Sequence, residues 1–367
     1  FLLPCLHHRP RLMRPDGIRQ QRWRISATAL IAGLCVLAWT PAHAQVSVQA
    51  SAGGEAFQIE EAAFTGAGLN VDGRFARGPI SARVQAGFNR WVQDGRSIST
   101  PMVEAGISGR FRTVEAFVSG RLAGVSPQNE TELLLTSVSL DPAFASRWPV
   151  LPWSEVSSGL RWAWPASERL ALSLGGVGRL PFAFDALPDE RYQPAAAFSL
   201  DAGLTAQHTE RAFTNVDISV TLFGTANLND EPFASPAPRL TIQLEHRRPI
   251  AGAPTTATLA ASAGGDPEAE GAIEDPALFS GPYVRLRVQR LQPLGRFPVS
   301  LYAGARVTGS TNRPFSSLRV LEAGVRPCFG TVCVDVHAEG GSVQAVEAQS
   351  QGWLSIRGGV QIQVPIR

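Results

Sequence analysis

The sequence predicts an all-β fold, an antiparallel transmembrane β-barrel of sixteen strands, with fourteen as the alternative. Three observations predict it. The first is alternation. From Ile80 to Asn89, the residues Ile80, Ala82, Val84, Ala86 and Phe88 fall on one face, and Ser81, Arg83, Gln85, Gly87 and Asn89 on the other. Successive strand residues point to opposite sides, so such a segment has one apolar and one polar face. The second is charge. Charged residues are 17% of the chain, below the roughly 25% usual in soluble domains. Yet no segment after residue 44 reaches the roughly 18 consecutive apolar residues of a membrane-spanning helix. The third is rhythm, because short connections alternate with long ones, as they do where a barrel has tight turns at one end and loops at the other.

The N-terminal segment reads as a targeting signal outside the fold. Met13 is the expected start, and residues 1–12 read as an upstream extension. Arg14, Arg19, Arg22 and Arg24 form the charged region, and Ile25 to Trp39 the apolar core. Pro41-Ala42-His43-Ala44 offers an Ala-x-Ala cleavage site, which leaves Gln45 first. The organisation expected is therefore a signal peptide over 1–44 and a barrel over 45–367.

The strands follow in order at 46–52, 64–75, 80–89, 101–111, 114–122, 155–164, 169–180, 196–207, 214–224, 239–247, 255–263, 282–291, 299–308, 318–327, 332–339 and 353–366. Each alternates, and several approach the roughly 9–11 residues that cross a bilayer. Short connections fall at Arg77 to Pro79, Arg112-Thr113, Pro165 to Glu168, His208 to Ala212, Arg248 to Pro254, Pro293 to Pro298 and Cys328 to Cys333. Long ones are expected at 53–63, 90–100, 123–154, 181–195, 225–238, 264–281, 309–317 and 340–352. Leu133 to Leu140 is read as loop, because a strand there would invert the rhythm and leave an odd count. The tight turns belong in the periplasm and the long loops outside. Trp91 and Trp353 near outer ends, and Trp162 and Trp164 near a tight turn, suit interfacial aromatic girdles.

Cys328 and Cys333 are the two cysteines after residue 44. They carry the same parity on adjacent strands across a short turn holding Gly330, and an even pair in an oxidising compartment reads as a disulfide. C-x4-C without a second ligand pair is a poor metal site.

The charges sort by parity onto the polar face. Arg74, Arg83, Arg110, Arg121, Arg161, Arg285, Arg287, Arg306, Arg326 and Arg357 stand there with Asp72, Glu104, Glu115, Asp201, Asp217, Glu245, Glu322 and Asp335. An Arg facing hydrocarbon at the bilayer midplane costs roughly 2–4 kcal/mol, so these residues face water or one another. Two readings stay open for them: a salt-bridged lining, or a channel whose field selects solutes.

With alternation, secretion signal and loop rhythm together, residues 45–367 resemble Gram-negative outer-membrane β-barrels of the porin class. The connection 123–154 is the longest and follows the fifth strand, so it is the third external loop. In general diffusion porins that loop folds inward and narrows the channel. The resemblance therefore implies a constriction carrying Glu130, Glu132 and Asp141 opposite Arg74, Arg83, Arg110 and Arg121, with Arg161 a further pore-lining candidate. It also implies outer-membrane lipid, lipopolysaccharide and the barrel-assembly machinery as partners, and leaves a homo-oligomer open. The chain ends Gln363-Val364-Pro365-Ile366-Arg367, without the terminal aromatic residue usual in such barrels.

Composition narrows the function classes. All 33 basic residues are Arg, so no chemistry that needs a lysine is available. No basic stripe points to nucleic acid. Asp266 to Glu274 has acids spaced like a calcium loop, but position twelve is Ala277, so it reads as a solvated acidic loop and no metal or other cofactor is expected. His208 and His246 fall at tight-turn ends, and His337 shares parity with Asp335 and Glu339. Neither G-x-S-x-G nor H-E-x-x-H occurs, so no enzyme is expected. The function expected is passive diffusion of small hydrophilic solutes. A closed barrel for surface interaction or anchoring is the alternative, and a barrel hydrolase the third.

Overall fold

A computed structural model describes residues 45–366 except 60–61, 94–95, 124–153, 188–189, 236, 265–282, 296, 309–314 and 346–349. The strands are β1 (Gln45–Ile59), β2 (Ala62–Arg77), β3 (Ile80–Gln93), β4 (Arg96–Phe111), β5 (Val114–Ala123), β6 (Glu155–Ser167) and β7 (Leu170–Pro181). There follow β8 (Phe184–Leu187), β9 (Glu190–Gln193), β10 (Ala197–Thr209), β11 (Ala212–Phe223), β12 (Ala226–Leu228), β13 (Glu231–Ala234) and β14 (Arg239–Ile250). The last are β15 (Ala253–Gly264), β16 (Tyr283–Leu294), β17 (Phe297–Thr308), β18 (Phe315–Phe329), β19 (Val332–Ala345) and β20 (Ser350–Ile366).

Sixteen of these close into one antiparallel barrel, in the order β1 to β7, β10, β11, then β14 to β20. β1 pairs with β20 from Val46↔Ile366 to Ile59↔Trp353, which leaves no free edge. All sixteen strands expected from the alternation are present. Consecutive barrel strands are neighbours throughout, so each pair needs only a turn or a loop.

The alternation fixes which face is which. Leu69, Leu160, Leu180, Leu321, Leu354 and many other large apolar side chains project from the outer surface. Such a surface suits hydrocarbon and not water, since soluble proteins rarely expose apolar patches of this extent. The polar residues between them face inward. Two residues separate the strands at each tight turn of one end, here the turn end. Gly78 and Gly330 take φ of 56° and 64° there, a region glycine enters without steric cost.

Several loop-end expectations are corrected. Residues 53–63 and 90–100 are not long loops. β1 and β2 pair out to Ile59↔Ala62, and β3 and β4 out to Gln93↔Arg96. Gly53-Gly54 and the Ser/Thr-rich 97–100 look loop-like by composition. Extending the ladder, however, satisfies backbone groups that would otherwise need other partners. For the same reason β19 and β20 run into 340–352, pairing to Gln344↔Ser350. The connections 181–195 and 225–238 are also not plain loops. They carry β8–β9 and β12–β13, which join in the order β13-β12-β9-β8. The β12–β13 turn is Asn229-Asp230, both at positive φ, the chemistry a two-residue hairpin turn requires.

Trp162 and Trp164 lie together at the turn end, ring centroids 4.7 Å apart, and the Trp162 indole N–H donates to Thr113 Oγ1 at 3.1 Å. Trp353 does not join an outer girdle. It carries inward parity, opposite to exposed Leu354, and is buried.

Candidate functional site: the barrel lumen

The inner face has three electrostatic regions. On β2 and β3, Asp72 is the hub. Arg74 Nε donates to its Oδ1 at 2.9 Å, and Arg83 Nε to its Oδ2 at 2.6 Å. Arg83 also donates to Gln85 Oε1 at 3.0 Å. The carboxylate is buried, while the Arg74 and Arg83 side chains stay 62% and 49% exposed. Neither guanidinium is spent on packing, so both reach into the lumen. Nearby, Arg121 pairs with Glu155 across β5 and β6 at 2.9 Å, and both are largely buried. Arg110 and Arg161 carry the same inward parity, and Arg161 donates to Ser173 Oγ at 3.3 Å.

The second region is the seam wall, from β16 through β20 to β1. Arg285 holds Glu322 with one nitrogen on both oxygens, at 2.7 and 3.0 Å. Arg287 stacks over the Tyr302 ring, 4.2 Å from its centroid. Tyr302 Oη shares a hydrogen bond with His337 Nδ1 at 2.9 Å and donates to Asp335 Oδ1 at 3.3 Å. The other His337 nitrogen faces Glu339 Oε2 at 3.4 Å. Glu339 pairs with Arg357, whose Nε lies 3.6 Å from Glu55, and Glu55 accepts from Ser355 Oγ at 2.6 Å. The wall is packed, with His337 4% exposed and Ser355 fully buried.

Two glycines make this packing fit. Gly324 sits between Tyr302 and His337 in the strand register, and a Cβ there would overlap the Tyr302 ring. The missing side chain is what lets the ring lie across β18 to reach His337. Gly304 does the same for Glu322. Glu322, His337 and Glu339 bring donor atoms within 4.8 Å of one another, the separation of a metal site. Each carboxylate already serves an arginine, so the set reads as an ionic network. The Ser355 hydroxyl goes to Glu55, and no serine hydroxyl hydrogen-bonds His337 among the described residues.

The third region lies across the lumen from the seam. Asp201 on β10, Asp217 on β11 and Glu245 on β14 run as a diagonal stripe, each on inward parity. None of the three has an ion-pair partner among the described residues. β11 stands eight strands from β1 around the ring of sixteen, so the stripe faces the seam.

Every lumen charge read from the alternation lies in a barrel strand with inward register. Glu130, Glu132 and Asp141, expected on an inward-folded loop, lie outside the described residues, as do the acids at 266–274. The Cys328 and Cys333 sulfurs are bonded, closing the β18–β19 hairpin. Sequence reasoning does not single out Glu55, Tyr302 or Ser355. Glu55 sits where glycines suggest a loop, but it keeps the parity of Ser47, Gln49 and Ser51. That parity is the available signal.

No family model matches the sequence, and no curated protein does. Solved structures similar to this chain are barrels. CdiB from Acinetobacter baumannii has a TM-score of 0.51 at 10% identity over 86% of this chain. The chain spans 60% of the length of CdiB. OccAB1 from Acinetobacter baumannii has a TM-score of 0.48 at 8% identity over 88% of this chain and 97% of its own. OccK5 from Pseudomonas aeruginosa has a TM-score of 0.46 at 8% identity, over 88% and 98%. Similarity at such identity concerns the fold alone.

Proposed function

We propose that this chain, an outer-membrane β-barrel of porin architecture, is a channel for passive diffusion of small hydrophilic solutes. The observation that carries this reading is the lumen-facing charge left available to solute. Arg74 and Arg83 project from one wall, and Asp201, Asp217 and Glu245 line another without counter-ions among the described residues. Sixteen strands enclose more space than wall side chains fill, as in barrels that carry an aqueous channel. Charged rings at close range then sort what passes.

A closed barrel for surface interaction or anchoring is the second reading. The packed seam wall favours it, since His337, Glu339 and Ser355 are buried there. Planar-bilayer recording of refolded protein separates the two. The channel reading expects discrete conductance steps that scale with salt concentration. Protein that folds into a heat-resistant barrel and yet gives no steps overturns it in favour of the closed barrel.

A further inference from the structure

The charged groups that face outward at the turn end do not belong to the lumen. On β10, β11 and β14, the exposed apolar residues Phe198, Leu200, Ile218, Val220, Leu240 and Ile242 set the outward parity. His208, Thr214, His246 and Arg248 share that parity and lie beyond them toward the turns. The Thr214 hydroxyl bridges the two imidazoles, 2.7 Å from His208 Nε2 and 2.9 Å from His246 Nδ1. Next to them, Arg248 pairs in register with Thr255 of β15, and Thr255 with Arg290 of β16. Small Thr255 lies between the two arginines and is buried among its neighbours, its hydroxyl donating to Ala253 O at 3.2 Å.

These cations differ from those inside. Arg121, Arg285 and Arg357 each hold a carboxylate. Arg248 and Arg290 hold none among the described residues, and Arg290 meets only Gln292 Oε1, at 3.1 Å. The adjoining β10–β11 turn contributes Glu210 and Arg211, whose charges offset each other. Outward-facing cations at this depth stand where lipid headgroups lie, the level that Trp162 and Trp164 also occupy at this end. The tight turns mark the periplasmic side of an outer-membrane barrel.

We propose that His208, His246, Arg248 and Arg290 form a binding site for the phosphate headgroup of an acidic phospholipid in the periplasmic leaflet. Arg248 and Arg290, which flank Thr255 in the register, receive the phosphate between them, with two guanidinium groups donating charge-assisted hydrogen bonds. The histidines extend the site. The single Thr214 proton can serve only one ring nitrogen, so the other ring donates to Thr214. The outer nitrogen of each imidazole, His208 Nδ1 and His246 Nε2, remains for the headgroup. The site is independent of whether the lumen conducts.

The test is native mass spectrometry of the whole protein released from nanodiscs of equimolar phosphatidylglycerol and phosphatidylcholine. Wild type should retain phosphatidylglycerol preferentially. R248Q/R290Q should lose that preference by on the order of thirty-fold, since each Arg near an anionic surface contributes a factor of about five. R248K/R290K should keep most of it. R77Q, at the turn end of β2, should behave as wild type. Where the double variant does not fold, R248Q and R290Q read singly should each lose about five-fold. Equal retention of the two lipids by wild type overturns the proposal. So does unchanged preference in every folded Arg→Gln variant, or retention of added lipopolysaccharide in place of phosphatidylglycerol. Displacement of the lipid by millimolar inorganic phosphate would reassign the site to free phosphate.

Discussion

The seam wall and the wall facing it are built from the same alternation but treat charge in opposite ways. On the seam, Arg285, Glu322, His337, Glu339, Arg357 and Glu55 interlock from β16 to β1, with Glu55, His337 and Glu339 buried and Arg285 partly exposed. Across the lumen, Asp201, Asp217 and Glu245 stand apart from any cation among the described residues, and Asp217 is exposed. A buried charge needs a partner because desolvation costs several kcal/mol per ion. A charge facing water does not. The first arrangement is therefore structural, and the second is free to act on what enters the lumen.

The largest expected effect comes from breaking the seam. Arg357→Met removes the arginine that stands between the buried carboxylates of Glu339 and Glu55. The expected loss is about 3–5 kcal/mol. Arg83→Met, at an exposed guanidinium whose Asp72 partner keeps Arg74, should cost at most about 1 kcal/mol. Urea unfolding in lipid vesicles measures both. Equal losses would erase the distinction between the walls.

Next is glycine. Gly324→Ala places a methyl group in the Tyr302 ring, which is held by His337 on one side and Arg287 on the other. A cost of about 1–3 kcal/mol is expected, as for overpacking elsewhere. Tyr302→Leu in the same background should recover part of it, visible as coupling in a double-mutant cycle. Gly203→Ala on the facing wall meets Ser173 Oγ and Asp217 Oδ1, both ends of side chains that can swing into the lumen. It should cost clearly less, and a cost as large as that of Gly324→Ala would show that this wall is packed too.

The difference between the walls is only partly legible in the sequence. Parity puts Arg285, Glu322 and Asp217 on the inner face alike, because alternation reports side and not neighbours. Which inner charges meet depends on stagger between strands, and a single sequence gives that only through its turns. Glu55 shows the limit. Its pairing with Ser355 joins residues 300 apart in sequence, through the β1–β20 closure. Strand boundaries at the loop end are missed for a related reason. Gly53-Gly54 has weak strand propensity alone, and only the ladders to β2 and β20 hold it extended. The β12–β13 hairpin is within reach of the sequence, since Asn229-Asp230 is turn chemistry inside a stretch whose composition suggests loop.

A smaller effect is expected at the turn end of the seam. C328S/C333S opens a disulfide that closes a loop with sequence separation 5. In the chain-entropy picture so short a loop contributes at most about 2 kcal/mol. The hairpin's Phe329↔Val332 pairing holds the same residues together without it, so the loss should fall below that bound. Reduced and oxidised wild type compared by urea unfolding give the same quantity without mutation, and disagreement between the two measurements would point to the serine hydroxyls instead.

The smallest effect on stability is expected from D201N/D217N/E245Q. These carboxylates have no ion pair to lose among the described residues, and neutralising neighbours of like charge removes a mild repulsion. Unfolding should shift by less than about 0.5 kcal/mol, the range of substitutions that break no specific contact. Permeation should respond instead. With the stripe neutral, Arg74 and Arg83 would dominate the lumen field, and reversal potentials under a salt gradient should move toward anions. The shift should shrink as salt rises, because the Debye length falls to about 3 Å at 1 M. A large loss of stability with unchanged reversal potential would mean that the acids hold the wall together after all, and that the two walls differ in sequence but not in role.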